Sequence, residues 1–492
     1  MENVSFNQIP VDIRTPGQYI EIDNSKAVRG LPTIDRKILV LGQRLSTGTV
    51  AEAIPKRVVN GDQAELYFGR GSMLAEMVKA VKAVNDTSDV WAVALDDNGA
   101  GQAAAGSVAF GGTVTGAGTL NLYIAGTLIQ VAVAASQAAS ATATAVAAAI
   151  TARTDLPVTA AVNGGDNTQV DITARHKGLG GNAIDIRTNY YMGEVLPKGL
   201  TVTITAMSSG TANPDVADAL AAIGDDQYYT IIMPWTDTSN LGALETELEA
   251  RWGPMEQRTG HAFAALVDTH SNLATAGAAR NSVHTTLFGI ADVPQPPWIW
   301  AARAGAVVEY YGAIDPARPF QTLAVPGLMP PPEESRFTRP ERDLQLRDGI
   351  STFTIDAGGV VRVERVITTY QTNPFGVADI SLLDLNTKWT VDYIRYAVRA
   401  RIALRFPRYK LANDGTNFAP GQAIVTPRVI KLELLALFRE LEFAGLVENF
   451  DQFKADLLVV RSDQDPNRVN AVIPPDVINQ FRVFAAAVQY RL

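Results

Sequence analysis

The chain has 492 residues, 47% of them hydrophobic and 19% charged, with a formal net charge of −9. This composition is typical of a folded protein of roughly two to four domains and not of a disordered chain. The acidic balance argues against a general nucleic-acid binder, because neutralising phosphates needs a basic face. The absence of cysteine excludes disulfides, thiol nucleophiles and thiolate metal sites.

Residues 1–30 are predicted to form an extended arm. Pro16 and Gly17 interrupt short apolar pieces, so no long regular element fits. The segment lacks the apolar core of a secretory signal and carries Glu2 and Asp12, which indicates a cytoplasmic origin. Such an arm cannot bury its apolar residues alone.

Residues 31–96 are predicted to be the first part of an α/β core. Short apolar runs at Lys37–Leu41 and Val90–Leu95 predict strands. A helix is predicted between them, with Ser72 as its N-cap and apolar residues at helical spacing after it.

Residues 214–335 are predicted to complete this core. A helix is indicated by Leu241, Leu244, Leu248 and Trp252, which recur at helical spacing before a glycine. Further strands are predicted at Tyr228–Met233, Ala262–Val267 and Thr285–Ile290. Strands that alternate with amphipathic helices predict a mostly parallel sheet covered on both faces.

Residues 97–213 are predicted to be a β-rich domain that is inserted into the core and exposed. The region is rich in Gly, Ala and Thr, and no residue from Asn98 to Ala152 is charged. A membrane helix is the alternative, but glycines break this stretch and small residues dominate it. A β-hairpin is predicted around Ala125 and Gly126.

A C-terminal domain is predicted at residues 336–479, within and after a proline-dense segment. We expect a β-hairpin between Ser351 and Thr369 and a helix from Asn386 to Phe406. A second helix should follow the N-cap Thr426 and end at Gly445. Residues 480–492 contain no turn residues and are predicted to form a strand arm.

Four polar residues follow predicted strands and could form a catalytic or metal site. They are Asp96, Asp237, Asp268 and His270. Open α/β sheets place their sites at the carboxyl ends of strands, where such carboxylates could hold a metal or act as acid and base. The alternative is that the aspartates cap helices or make turns. The phosphate-loop, nucleophile-elbow and H-E-x-x-H signatures are all absent.

Seven basic residues and one acid lie between Lys388 and Lys410. This run could be a solvated helix face, an interface for an acidic protein partner or a nucleic-acid contact. A protein partner is favoured over nucleic acid, because the chain is acidic overall and no aromatic stacking pattern accompanies the run.

Six short strings carry a family resemblance: Pro16–Ile22, Asp315–Pro319, Arg342–Ile350, Glu364–Tyr370, Phe406–Leu411 and Gly445–Asn449. Taken in order, they resemble the sheath proteins of contractile phage tails, particularly the Mu-like type. The strings cover both ends and most of the predicted core, and they leave out the inserted region.

The resemblance implies a subtilisin-like α/β core without protease activity, an inserted β-rich domain, an α+β C-terminal domain and extended N- and C-terminal arms. Subunits of this family form stacked hexameric rings around an inner tail tube, and contraction drives the tube through the host envelope. A structural protein of the phage tail, assembled in the host cytoplasm, is therefore expected. An enzyme, a cofactor and a metal site are not.

The resemblance also implies partners and contact residues. Terminal arms should exchange strands with neighbouring subunits, and the C-terminal domain should face the tube. Baseplate and tail terminator proteins are further expected partners, without nucleic acid or membrane insertion. The arm contacts would be Tyr19, Ile20, Ile22, Phe481, Val483, Phe484, Val488 and Tyr490, and the tube-facing candidates are Arg428, Lys431, Arg439 and Lys454. A sheath from a headless tail particle or a secretion system shares these features, and a metal-assisted hydrolase with an α/β core is the alternative.

Overall fold

The computed structural model describes residues 14–20, 31–419 and 421–491. The chain forms two compact units. The larger unit contains residues 36–315 and 319–385. The smaller unit contains residues 316–318 and the chain from Asn386 onward, together with the described residues before Arg36.

The larger unit begins with a strand–helix–strand arrangement. Its elements are β1 (Lys37–Gln43), β2 (Lys56–Val58), α1 (Gly61–Phe68), α2 (Met73–Lys82) and β3 (Asp89–Leu95). Ser72 is the N-cap of α2, and its Oγ accepts a hydrogen bond from the backbone N–H of Ala75 at 3.2 Å. The predicted strands and the predicted cap of this part are therefore confirmed.

Residues after β3 form two antiparallel sheets and one helix. Their elements are β4 (Ala103–Gly112), β5 (Gly118–Ile124), β6 (Thr127–Val133), α3 (Ala139–Ala152), β7 (Val158–Val162), β8 (Gln169–Lys177), β9 (Ile186–Thr188) and β10 (Leu200–Ser208). One sheet has the order β10-β4-β8-β7 and the other β6-β5-β9. The β5–β6 hairpin turns at Ala125 and Gly126, which have positive φ angles of 52° and 78° and so twist the turn to suit the strands.

A polar network joins this inserted segment to the core strands. Asp97 accepts hydrogen bonds from the Gln43 side chain at 2.7 Å and from the backbone N–H of Lys177 at 2.9 Å. His176 Nε2 accepts from the backbone N–H of Met73, so its Nδ1 carries the proton and donates to Asp97 at 3.0 Å. Both partners of Asp97 on the segment lie on or at the end of β8, which fixes that strand against the core.

The chain then returns to the core and completes the larger unit. The elements are α4 (Val216–Ile223), β11 (Thr230–Ile232), α5 (Thr238–Trp252), β12 (His261–Val267), α6 (His270–Ala278), β13 (Thr285–Ile290), α7 (Pro297–Ile314), α8 (Arg339–Arg347), β14 (Ile350–Ile355) and β15 (Val361–Arg365). The strands predicted at 228–233, 262–267 and 285–290 are present, with ends that differ by up to two residues.

One eight-stranded sheet organises the larger unit, with the order β15-β14-β13-β12-β11-β1-β3-β2. The six central strands are parallel and both edge strands are antiparallel. Apolar residues of α4 and α5 pack on one face, in a cluster with Leu39, Ile231 and Leu287. Helices α2 and α7 also pack on the sheet, through residues that do not belong to this cluster. The mixed α/β class predicted from the sequence is confirmed.

Helix α7 is buried over most of its 18 residues and was not predicted from the sequence. Gly305 lets it approach the sheet, because a Cβ at this position would lie 2.5 Å from the Ile232 side chain. Glu309 is fully buried on the same helix. Both of its carboxylate oxygens accept from Arg36, at 2.7 and 3.0 Å, and Oε2 also accepts from the Thr230 hydroxyl.

The hairpin predicted to open the C-terminal domain belongs to the large sheet instead. Strand β14 pairs in parallel with β13, with Leu287 opposite Ile350. This long-range pairing carries residues 319–385 into the larger unit, so the predicted domain start at residue 336 differs from the observed division at residue 385.

The described part of the smaller unit contains three helices and three short two-stranded sheets. Its elements are α9 (Leu385–Arg405), β16 (Lys410–Leu411), β17 (Ile424–Val425), α10 (Pro427–Phe443), β18 (Val447–Glu448), α11 (Phe450–Asp456), β19 (Leu458–Arg461), β20 (Val469–Val472) and β21 (Asp476–Val477). Ile394 of α9 shares a buried cluster with Leu434 and Phe438 of α10. The ring of Phe438 stacks on that of Phe453, with centroids 4.0 Å apart.

Candidate assembly surfaces

The C-terminal segment carries large apolar side chains that a single chain leaves exposed. Residues 478–491 follow β21 and form neither helix nor strand. Phe484 is 80% exposed and Val488 is 91% exposed, and Phe481, Val483 and Tyr490 are exposed as well. In an extended strand Phe484, Val488 and Tyr490 would share one face, because side chains alternate. Contiguous exposed apolar surface of this kind marks an interaction site.

The strand predicted at 480–492 is not formed at the described residues 480–491. A strand needs a partner to satisfy its backbone N–H and C=O groups. Residues 483–491 pair with no strand within the described part of the chain. Strand formation in a second copy of the molecule therefore stays a prediction.

Part of the N-terminal arm is described, and it is exposed. Residues 14–20 contain no helix or strand. Ile20 is 87% exposed, and the Tyr19 hydroxyl donates to the carbonyl of Thr15 at 3.1 Å. Ile22, the third predicted contact of this arm, lies outside the described residues.

The β19–β20 hairpin offers unpaired strand edges in the smaller unit, and the sequence analysis missed it. Its two strands pair only with each other among the described strands. Leu458 and Val472 lie opposite one another and are 52% and 58% exposed. A two-stranded hairpin is marginally stable alone, and exposed edges are templates for a further strand. The short apolar run at residues 457–460 was the available signal.

The predicted tube-facing residues are spread over α10 and α11. Arg428 and Lys454 are exposed, and Lys431 is half-buried. Arg439 is engaged within the chain, because it pairs with Glu442 at 2.6 Å and lies over the ring of Phe450 at 3.3 Å from its centroid. Arg428 and Lys454 are therefore better placed than Arg439 to contact a partner.

The basic run at 388–410 is largely neutralised within the smaller unit. Lys388 forms a buried ion pair with Asp392 at 2.9 Å. Arg401 is nearly buried and binds both Glu433 and Glu440 on the neighbouring helix α10. Lys388 and Arg401 are thus compensated within the smaller unit, and the two acids that face Arg401 from α10 lie outside the stretch in which the basic residues were counted.

The carboxylates that follow the core strands act as turn and cap residues. Asp237 is the N-cap of α5 and accepts from the backbone N–H of Asn240 at 3.0 Å. Burial alone would raise the pKa of Asp237, but hydrogen bonds from Ser239, Asn240 and Asn213 outweigh it and hold the pKa below its usual value.

The other members of that predicted group are engaged separately. Asp268 accepts from the backbone N–H of Thr269, and Asp96 pairs with Arg44 at 2.6 Å. His270 Nε2 lies 3.1 Å from the carbonyl oxygen of Glu341. Within the described residues no group of three His, Asp or Glu side chains is placed to hold a metal ion. None of the described helices has both the length and the hydropathy needed to cross a membrane.

Comparisons with known proteins agree on one family. Residues 209–369 match the family model of the phage tail sheath protein central domain. Residues 377–491 match the family model of the phage tail sheath C-terminal domain. The chain is 47% identical over 490 residues to the Mu-like prophage FluMu tail sheath protein of Haemophilus influenzae, and the match covers the whole of both chains.

Two solved structures have a similar fold. The sheath tail protein Lin1278 from Listeria innocua is 12% identical, with a TM-score of 0.50 over 91% of this chain and 93% of its own. The helical sheath of the anti-feeding prophage in its contracted state is 9% identical, with a TM-score of 0.50 over 97% of this chain and all of its own.

The chain therefore belongs to the phage tail sheath family, whose members are structural proteins and not enzymes. Within that family it is a contractile tail sheath protein of the Mu-like type, a component of the phage tail. The sequence resemblance is confirmed, and the hydrolase alternative has no support from these comparisons.

Proposed function

We propose that copies of this chain assemble into stacked hexameric rings around the inner tail tube and that their contraction drives the tube through the host envelope. The observation that carries the proposal is the exposed apolar segment at residues 483–490, which pairs with no strand among the described residues. A strand donated to a neighbour gains backbone hydrogen bonds and buries alternate side chains. Baseplate and tail terminator proteins would bind the two ends of the cylinder.

The large sheet supports a subtilisin-like core without protease activity as the rigid body of each subunit. Six parallel strands with helices packed on the sheet give a body that can move as one piece. Head-to-tail contacts that do not close generate a helix, and two packings of the same lattice give an extended and a contracted form. Terminal segments threaded into neighbouring subunits would keep those bodies connected while they re-pack.

Removal of residues 481–492 should abolish cylinders in negative-stain images and leave small species in sedimentation velocity. Phe484→Asp with Val488→Asp should act like the truncation, because both changes place a charge on the apolar face of the donated strand. Ala485→Asp lies on the opposite face and is the matched control, which should still polymerise. Normal cylinders from the truncated chain would refute strand donation.

The β19–β20 hairpin is the acceptor that we propose for the C-terminal segment. The chain has no cysteine, so single introduced cysteines report one contact without background. A Tyr490→Cys chain mixed with a Val472→Cys chain should be cross-linked into a dimer by a bifunctional maleimide under assembly conditions. When a Gly164→Cys chain replaces the Val472→Cys chain, no such dimer should form, because Gly164 lies in an exposed turn of the inserted segment. Equal yields with both partners would exclude this acceptor.

The tube contact is proposed to use the basic smaller unit. Residues 386–492 contain fifteen Lys and Arg against eleven Asp and Glu, whereas residues 36–385 contain 24 against 35. Arg428→Glu with Lys454→Glu should leave cylinders intact and reduce co-sedimentation with tail tubes, most strongly at low salt. Arg347→Glu, at an exposed site in the larger unit, is the control. Equal loss in both variants would contradict a tube-facing role.

A further inference from the structure

A cavity of about 230 Å³ lies at the carboxyl ends of two parallel strands in the larger unit. Ile290 ends β13 and Ile355 ends β14, and both line the cavity. Residues of α8, of the loop before it, of α7 and of β15 complete the lining. Open α/β sheets bind ligands at this edge, outside the carboxyl ends of their strands.

Gln345 of α8 lies against this cavity with unused hydrogen-bonding groups. Its side chain is fully buried, and within the described structure neither Oε1 nor Nε2 has a hydrogen-bond partner. The helix is fixed by a capping box between Thr338 and Glu341, which holds Gln345 in its last full turn. A buried polar group without a hydrogen-bond partner destabilises the fold. Gln345 therefore brings one unused donor group and one unused acceptor to the lining of the cavity.

The apolar part of the lining suits a flat ring. Trp300, Phe337 and Phe353 all line the cavity. The rings of Trp300 and Phe353 meet edge to face, with centroids 5.2 Å apart. The indole N–H of Trp300 also lacks a hydrogen-bond acceptor in the described part of the chain. Aromatic walls with a few convergent polar groups are typical of small-molecule sites.

One of the two arginines in the lining is not neutralised by a carboxylate. Arg342 pairs with Glu364 at 2.8 Å. Arg336 donates from Nε to the carbonyl of Pro331 at 3.1 Å and forms no ion pair with the described residues. The cavity therefore presents one uncompensated positive charge, which favours an anionic ligand.

We propose that this cavity binds a small planar heteroaromatic acid. The ring would lie among Trp300, Phe337 and Phe353, and its carboxylate would pair with Arg336. A ring edge with adjacent N–H and C=O groups would satisfy both atoms of the Gln345 amide. The volume is several times the roughly 30 Å³ that one water molecule occupies in the liquid, so a single water does not fill the site.

Three probes separate the contributions of the two polar residues. Orotate carries both the amide-like edge and the carboxylate, uracil carries only the edge, and benzoate only the acid. Titration calorimetry of the full chain should show saturable binding, tightest for orotate. Gln345→Leu should weaken orotate and uracil about tenfold and leave benzoate unchanged, since tenfold corresponds to one hydrogen bond of about 1.4 kcal/mol. Arg336→Gln should weaken orotate and benzoate and leave uracil unchanged.

Arg339→Gln is the matched control, because Arg339 is exposed on the same helix and does not line the cavity. The NMR signal of the Trp300 indole N–H gives a second readout, and Trp300→Phe identifies it among the signals of the six tryptophans. This readout does not require the Gln345 variant to fold. Orotate should move that signal. The proposal is overturned if no probe binds saturably, or if Gln345→Leu and Arg339→Gln bind all three probes equally.

Discussion

Replacement of Arg36 tests how the larger unit tolerates a charge inside its buried helix α7. Glu309 is fully buried, and its two oxygens depend on Arg36 and on the Thr230 hydroxyl. Arg36→Met keeps an apolar side chain over the ring of Tyr229, which the guanidinium covers at 3.7 Å from the centroid. The substitution therefore removes the charge while conserving part of the packing.

The expected loss is set by the charge that remains. Breaking a buried ion pair by removing one partner costs about 3–5 kcal/mol, because the other charge stays buried without compensation. Replacing both partners by methionine should cost much less, since an apolar pair of similar volume needs no desolvation. Thr230 then loses its acceptor, which costs about 1 kcal/mol. The double-mutant cycle of Arg36 and Glu309 should therefore show a coupling of at least about 2 kcal/mol.

Urea denaturation followed by tryptophan fluorescence measures these free energies of unfolding in monomeric protein. The single Arg36→Met variant should unfold at the lowest urea concentration, and the Arg36→Met/Glu309→Met variant should recover most of the difference. Additive losses, or a double variant less stable than Arg36→Met, would refute the account of a buried charge stabilised by its partner.

Two further outcomes follow from other polar contacts. Burial alone would raise the pKa of Asp97, but hydrogen bonds from His176 and Lys177 outweigh burial and lower it. The ionised Asp97 therefore stabilises the folded chain above about pH 4, and this stabilisation is lost as the pH falls through the folded pKa. Asp97→Asn should reduce the loss of unfolding free energy between pH 5 and 3, and an unchanged pH dependence would contradict this. Arg401→Met should destabilise the smaller unit in urea by about 1–2 kcal/mol, more than Arg405→Met at a more exposed site, and equal effects would contradict the bridging role of Arg401.

The core strands and the best-capped helices could be predicted because their signals are local. Short apolar runs marked β1, β3, β12 and β13, and Ser72 marked the start of α2. Helix α7 gave no such signal, because it is apolar around most of its circumference and a buried helix has no polar face to set a period.

Features that depend on distant pairing could not be obtained from local patterns. The hairpin β14–β15 was predicted, but its parallel pairing with β13 joins it to the large sheet across an intervening helix pair. The same limit applies to Arg401, whose partners Glu433 and Glu440 lie 32 and 39 residues away. The terminal arms were predicted from their own residues, but their exchange with neighbouring subunits was inferred from the family resemblance, since the sequence of one chain does not specify contacts with a second copy.

The position of β1 constrains the order in which a growing chain can fold. Of the eight strands in the large sheet, β1 is synthesised first, yet it lies between β3 and β11. Strand β11 begins about 190 residues after β1. The inserted segment is complete before β11 leaves the ribosome, so its two sheets can form while one side of β1 is still open. While that segment is translated, the edge of β1 that later pairs with β11 has no strand partner. An unpaired apolar edge can pair with other nascent chains, so this is the stage at which aggregation must be avoided.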